Sequence, residues 1–232
     1  MNTDTELTIL LPSYLEEENL RILLPRLTET LTRMAVSHEI LVIDTHEPMD
    51  QTRDVCQQHG VVYINREGGN CFGDAVRTGI NRAKGKNIVF MDADGSHSPE
   101  FIPTMYQFIN EYDVVIASRY VEGGGTDNLK TLVWMSLVLN FLYSLVLNLN
   151  CKDVSNSFKI YRSSLLKGLT LQCNNFDIVE EILFKIVKKN KSVRIKEVPF
   201  TFKQRMFGHT KRSLLLFIFT FIVTIVKLRF GR

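Results

Sequence analysis

The sequence predicts an α/β protein built on a mostly parallel sheet with helices on both faces. Apolar runs of strand length alternate with segments of helical spacing over the first half of the chain. Those runs are continuous rather than alternating, as expected of strands covered on two sides. A third observation sets the C-terminal part apart: Leu214–Val226 is a run whose only polar members are Thr220 and Thr224.

The elements follow in order. Leu7–Leu11 reads as a buried strand ended by Pro12. Glu16–Ala35 has helical spacing at Leu20, Leu23, Leu24, Leu27 and Leu31, with three glutamates in its first turn. Glu39–Asp44 is a second strand, Thr52–His59 a short helix and Val61–Ile64 a third strand. Asn70–Ala83 is helical and stops at Gly85; Asn87–Met91 is a strand that runs into Asp92. Pro99–Asn110 predicts one helix with proline in its first turn, and Asp113–Ala117 a further strand. Beyond Gly123-Gly124-Gly125, Leu132–Leu149 is nearly all apolar, with Ser136, Asn140, Ser144 and Asn148 at intervals of four, a narrow polar stripe on a helix. Val193–Phe202 reads as a strand or two.

Composition bounds the answer. The chain has 232 residues, 45% apolar and 23% charged, which excludes a disordered or fibrous chain. Its net charge of +3 hides an asymmetry. Thirteen basic residues and one acid, Glu197, lie between Lys185 and Arg232, so residues 1–184 carry 15 basic against 24 acidic. An acidic body with a basic end concerns partners rather than fold, and no nucleic-acid partner is expected. Four cysteines without a C-x-x-C pair give neither zinc spacing nor a disulfide framework. Met1–Glu6 is polar and acidic, so no signal peptide is expected.

In a parallel sheet the ligand site lies beyond the carboxyl ends of the strands. Here those ends carry Pro12-Ser13-Tyr14, Asp44, Asp92-Ala93-Asp94 and Ser118-Arg119. Two carboxylates at one strand end repel unless a cation sits between them, and a hard divalent ion with substrate phosphates is the natural one. The competing reading is a helix cap by Asp94 and Ser96. Glu67-Gly68-Gly69-Asn70 before a helix could receive a phosphate, although it matches no phosphate-loop motif and a plain glycine turn is the better reading.

Together, Leu11–Asn19, Val42-Ile43-Asp44, Met91–His97, Ser118-Arg119-Tyr120 and Ser157–Arg162 resemble the dolichol-phosphate mannose synthase branch of family 2 glycosyltransferases. The resemblance runs from Leu7 to Lys211. It implies a GT-A fold, a nucleotide-sugar donor with GDP-mannose foremost, Mg²⁺ or Mn²⁺, and a polyprenyl (dolichyl or undecaprenyl) phosphate acceptor. Carried over by position, Pro12, Tyr14, Glu16, Ile43 and Asp44 hold base and ribose, and Asp92 and Ala93 line the nucleotide. Asp94 ligates the metal with Ser96 and Asp92; Arg119, Arg205 and Lys211 face the phosphates. The chain departs from the pattern in Asp44-Thr45-His46, where relatives show Asp-Asp-Gly-Ser, and at Leu137, where many carry Arg, leaving Lys130 or Arg119 for the acceptor phosphate.

The implied reaction is inverting transfer of a hexose, mannose first, to the lipid phosphate. A phosphate monoester with a second pKa of about 6 is already an oxyanion and needs no general base. If the acceptor were a lipid or saccharide hydroxyl, Asp177, Glu180 and Glu181 are the candidate bases, against the plainer reading of a helix start and solvated face. A third alternative is an inactive membrane-bound nucleotide-sugar-binding protein. The expected organisation is a catalytic domain over 1–211, with 132–149 as an interfacial or core helix, and a membrane-associating helix with basic flanks over 212–232. That places the protein on the cytoplasmic face of a membrane, with a homo-oligomer left open.

Overall fold

The computed structural model describes residues 4–208 and 214–230. The chain opens with β1 (Leu7–Pro12), α1 (Glu17–Met34), β2 (His38–Asp44), α2 (Thr52–Gln58), β3 (Val62–Asn65), α3 (Phe72–Arg82) and β4 (Asn87–Phe90). A 3₁₀ turn over Pro99–Phe101 leads into α4 (Ile102–Tyr106) and β5 (Val114–Ser118). There follow β6 (Gly125–Thr126), α5 (Lys130–Leu147), β7 (Lys159–Arg162), α6 (Ser163–Leu166), α7 (Ile178–Lys189), β8 (Ile195–Pro199), β9 (Thr201–Phe202) and α8 (Leu214–Phe230).

Seven strands form one sheet in the order β3-β2-β1-β4-β7-β5-β8. Only β7 runs antiparallel to its neighbours, pairing Phe90 with Lys159 on one side and Ile116 with Lys159 on the other. Side chains alternate across a strand, so β1 feeds two cores. Leu7, Ile9 and Leu11 join the layer of α1, α2 and α4. Leu10 joins the layer of α3, α5 and α7. Burial on both faces is why these strands are continuous apolar runs.

The expected helix over 99–110 breaks into a 3₁₀ turn and five α-helical residues. Pro103 has no N–H to give Pro99, so the Ile102 N–H closes a tighter bond to Pro99 instead. The start of α1 is held by an exchange of caps. Asp50 accepts the Glu17 N–H at 3.2 Å, and Glu17 accepts the Gln51 N–H at 3.1 Å.

Helix α5 is turned inside out. Its stripe faces the protein: Asn140 is buried, donating to Ser136 O at 2.8 Å and Ser155 Oγ at 3.0 Å. Ser144 Oγ donates to Leu149 O at 2.7 Å and also to Cys151 O. Trp134, Phe141 and Leu145 point outward at 67%, 64% and 65% exposure. Helix α8 lies beside it, the Phe221 ring edge-on to Tyr143 at 4.0 Å. By length and composition alone, Lys130–Leu147 could cross a membrane, and only 17% of it is buried.

Candidate active site

The ends of β1, β2, β4 and β5 meet at one edge of the sheet, and antiparallel β7 brings the residues before it, 153–157, to the same edge. Ser13 N–H donates to Ile43 O at 2.9 Å, locking the first two ends together. Tyr14 stands exposed beside them. Asp44 is buried and accepts from the Tyr63 hydroxyl at 3.0 Å; burial pushes its carboxyl above the ordinary range. Ile43 and Ala93 have buried side chains, so only their main chain reaches this edge.

The Asp92–His97 loop is held from inside. Asp92 N–H donates to His97 Nδ1 at 3.0 Å, which puts the neutral ring's proton on Nε2, 3.8 Å from the Asp92 carboxylate. The ring is buried, stacked on Phe158 at 4.7 Å, and burial lowers its pKa. Ser157 Oγ donates to Asp92 Oδ1 at 2.9 Å. Asp94 Oδ1 accepts from the Ser96 N–H at 3.0 Å and the Ser96 hydroxyl at 2.6 Å. These bonds close a local turn and cap no helix, since the following 3₁₀ turn begins after Ser98 with no side-chain cap.

Residues 203–208 form a strap over this loop. Lys203 N–H bonds Ser96 O at 3.2 Å and Met206 N–H bonds Asp94 O at 2.9 Å. Arg205 Nη2 donates to both Glu16 oxygens at 3.0 Å, and its Nη1 is 3.9 Å from Asp94 Oδ2. Asn19 completes the tie, accepting the Phe207 N–H at 3.0 Å and donating to Glu16 at 2.5 Å. Glu16 is expected at the nucleotide, yet it anchors the strap; burial raises its carboxyl and Arg205 opposes this. Gly95 lies under the strap at φ +81°, and a Cβ there would sit 2.5 Å from Met206 Cε. Lys211 lies outside the described residues.

Arg119 does not stand open to phosphate as expected. Its Nε and Nη2 grip the buried Asp153 at 2.8 and 2.7 Å, and Nη2 also donates to Ser155 Oγ at 2.9 Å. Burial works against both charges, but each holds the other ionised, raising Arg119 and lowering Asp153. Glu197 accepts the Asp153 N–H at 2.9 Å and the Ser118 hydroxyl at 2.7 Å. Beneath lies buried Lys159, bonded to Val154 O at 2.9 Å and to Asn156 O, its pKa lowered to about 8 by burial against the pull of Asp153 and Glu180.

The candidate bases are engaged, and two are no solvated face: Glu180 and Glu181 are buried. Glu181 accepts the Gln172 and Cys173 N–H groups at 2.9 and 2.8 Å and pairs with Lys185 at 2.6 Å. Asp177 accepts the Thr224 hydroxyl at 2.6 Å, fastening α8 to the start of α7. At α3, Asp74 Oδ2 already accepts the Cys71 N–H at 3.0 Å, so the glycine-rich stretch before it is a turn. The sequence reading missed Asp153, Glu197 and Arg66; a buried ion pair between residues 34 apart leaves no local pattern.

The glycosyl transferase family 2 model matches residues 8–170. The chain belongs to glycosyl transferase family 2. Its similarity to named members extends further along it than that match. A dolichol-phosphate mannosyltransferase of Pyrococcus furiosus is 32% identical over 213 residues, covering 89% of this chain and 59% of that protein. The chain thus spans 59% of that relative's length. An undecaprenyl-phosphate mannosyltransferase of Micrococcus luteus is 31% identical, covering 88% of this glycosyltransferase and 86% of that one. A dolichol-phosphate mannosyltransferase of Saccharomyces cerevisiae is 27% identical over 227 residues. Among solved structures, glucosyl-3-phosphoglycerate synthase from Mycobacterium tuberculosis, in complex with Mn²⁺, UDP and product, shares the fold at TM-score 0.73 and 15% identity, over 97% of this chain and 80% of that one. The fold is GT-A, as the strand-end motifs imply.

Proposed function

We propose that this glycosyltransferase moves a hexose, mannose foremost, from a nucleotide sugar to a polyprenyl phosphate at the cytoplasmic face of a membrane. The anomeric carbon bonds to a lipid phosphate oxygen as its bond to the donor diphosphate breaks, inverting the centre and releasing the nucleoside diphosphate. One observation carries the reading: the acidic edge at Asp92 and Asp94 stands in the same domain as a helix that turns its polar stripe inward and its apolar face out. The names of the relatives support the donor and acceptor classes.

Tyr14, Asp44, Pro12 and the main chain of Ile43 would hold base and ribose, with Asp92 and the main chain of Ala93 lining the nucleotide. The donor set Asp94, Ser96 and Asp92 is all oxygen; among the described residues no cluster of three or more His, Cys, Asp or Glu could hold a metal. One or two carboxylates with substrate phosphates suit Mg²⁺ or Mn²⁺, not a soft ion. Such an ion, when bound, neutralises the charge that builds on the leaving diphosphate. Arg205 reaches the same phosphates from the strap. With Arg119 committed to Asp153, exposed Lys130 is left to meet the acceptor phosphate, which arrives already ionised.

Residues 1–211 would then form the catalytic domain, and α5 with 212–232 its membrane seat. Trp134, Phe141 and Leu145 would enter the lipid boundary while basic residues near α8, Lys227 and Arg229 among them, face anionic headgroups. Purified protein, given GDP-mannose or UDP-glucose, Mg²⁺ or Mn²⁺, and vesicles with or without undecaprenyl phosphate, tests the reading. We expect nucleoside diphosphate release that needs both the metal and the lipid phosphate. Release that survives chelation, or that ignores the lipid phosphate, overturns it. Asp177→Ala should leave turnover within about tenfold, short of the 10²–10⁴ a general base supplies.

A further inference from the structure

Arg66 follows β3 directly and belongs to none of the motifs above. It is 3% exposed. Its Nε donates to Asp44 O at 3.0 Å, its Nη1 to Asn70 O at 2.9 Å and Cys71 O at 3.1 Å, and its Nη2 to Ser13 O. Its main-chain N–H donates to Asp44 O as well, at 2.9 Å. One buried guanidinium thus ties together the end of β1, the end of β2 and the turn before α3.

A buried cation whose hydrogen bonds all go to carbonyls is costly, even with the Asp44 and Asp74 carboxylates nearby, and apolar packing could join two strand ends at less cost. What apolar packing lacks is direction. A planar fork with five fixed donors sets the relative position of its partners to within a hydrogen bond's tolerance. Two of the partners here are the main chain of Ser13, next to Tyr14, and of Asp44 itself. The Asp44 carboxylate is oriented separately by Tyr63, whose hydroxyl accepts from Asn65 Nδ2 at 3.0 Å.

We infer that Arg66 is a positioning residue for the donor nucleotide: it sets Tyr14 and Asp44 before the donor arrives and governs donor affinity, not the transfer step. The inference rests on the donor reading above. Binding that is equally strong in ground and transition states changes KM and leaves kcat, which distinguishes this role from a catalytic one and from simple stability. A lysine keeps the charge but replaces five donors on a rigid planar fork with three rotatable donors on one atom, and so loses the direction.

Full-length Arg66→Lys and Tyr63→Phe, compared with wild type in detergent micelles, test it. We expect Arg66→Lys to raise donor KM and the GDP dissociation constant about tenfold or more, with kcat within about threefold and the polyprenyl-phosphate KM unchanged. Tyr63→Phe should shift donor KM in the same direction and by less. Unaltered donor KM, or a loss confined to kcat, overturns the role. Should the lysine variant not fold, hydrogen exchange on wild type decides: GDP with Mg²⁺ should slow the amides of His46, Arg66 and Cys71, and no change there while residues 92–96 respond overturns it. Wild type that binds neither GDP nor UDP overturns the donor reading itself, whereas a lysine variant that binds as well as wild type overturns only Arg66.

Discussion

Helices α1 and α5 are both eighteen residues long, and they solve opposite problems. Helix α1 buries Leu20, Leu23, Leu24, Leu27 and Leu31 and leaves Arg21 and Arg33 in solvent. Helix α5 buries Asn140 together with Tyr143 and Leu147 and leaves Trp134, Phe141 and Leu145 outside. Where α1 sets an apolar face against a charged one, α5 is apolar on both sides and turns only its polar stripe inward. Several large apolar side chains exposed along one helix are what a contact with something other than water requires. On the proposed function, the difference divides the molecule into a donor side fixed by carboxylates and hydrogen bonds and a lipid side fixed by what surrounds it.

That division should break or sharpen under substitution. The largest effect belongs to Asp94→Asn, which removes a charge from the strand-end pair. Turnover should fall by roughly 10²–10³, on the scale of losing one transition-state charge contact, while co-sedimentation with vesicles is untouched. Loss of vesicle binding in this variant would erase the boundary between the two sides. Next is Asp153→Ala, which leaves the Arg119 guanidinium buried without its partner. Denaturant unfolding should show about 3–5 kcal/mol lost, and Asp153→Leu with Arg119→Met together should recover much of it. On the lipid side, Trp134→Ser, Phe141→Ser and Leu145→Ser together should weaken vesicle partitioning by about 100-fold or more, at about 1.5–3 kcal/mol for each large apolar side chain. GDP affinity measured by calorimetry should not move; if it does, the two sides are coupled through the fold.

The smallest effect is one of pH. Burial holds the His97 pKa below its ordinary 6.5. Below pH 6.5 the unfolded chain therefore binds a proton that the folded ring refuses, so this group's share of stability falls as pH drops through 6.5 toward the folded value. His97→Gln should flatten that slope in urea unfolding curves taken from pH 7 to 5. An unchanged slope would assign the acid sensitivity to other groups.

Much of the fold is legible in the sequence. Strands buried on two faces announce themselves as apolar runs, so β1, β2, β4 and β5 were plain. The Ser136–Asn140–Ser144 spacing predicted the stripe on α5, although not that it faces inward. Strand β7 was not legible, because Lys-Ile-Tyr-Arg is short, has charged ends, and becomes a strand only by insertion between β4 and β5. Glu180 and Glu181 looked like a solvated face because the amides and lysine that satisfy Glu181 come from a loop and a helical turn away. Arg66 was silent for a similar reason: its partners are main-chain carbonyls, and a carbonyl carries no residue identity.

Gly95 shows how small a margin the strap allows. The seam between that residue and Met206 has room for a hydrogen atom and nothing larger. A methyl group there would push the flexible Met206 side chain aside and would strain a backbone held at φ +81°. On the proposed function, the cover over the donor site therefore rests on a backbone conformation that glycine alone takes without strain, one residue from Asp94.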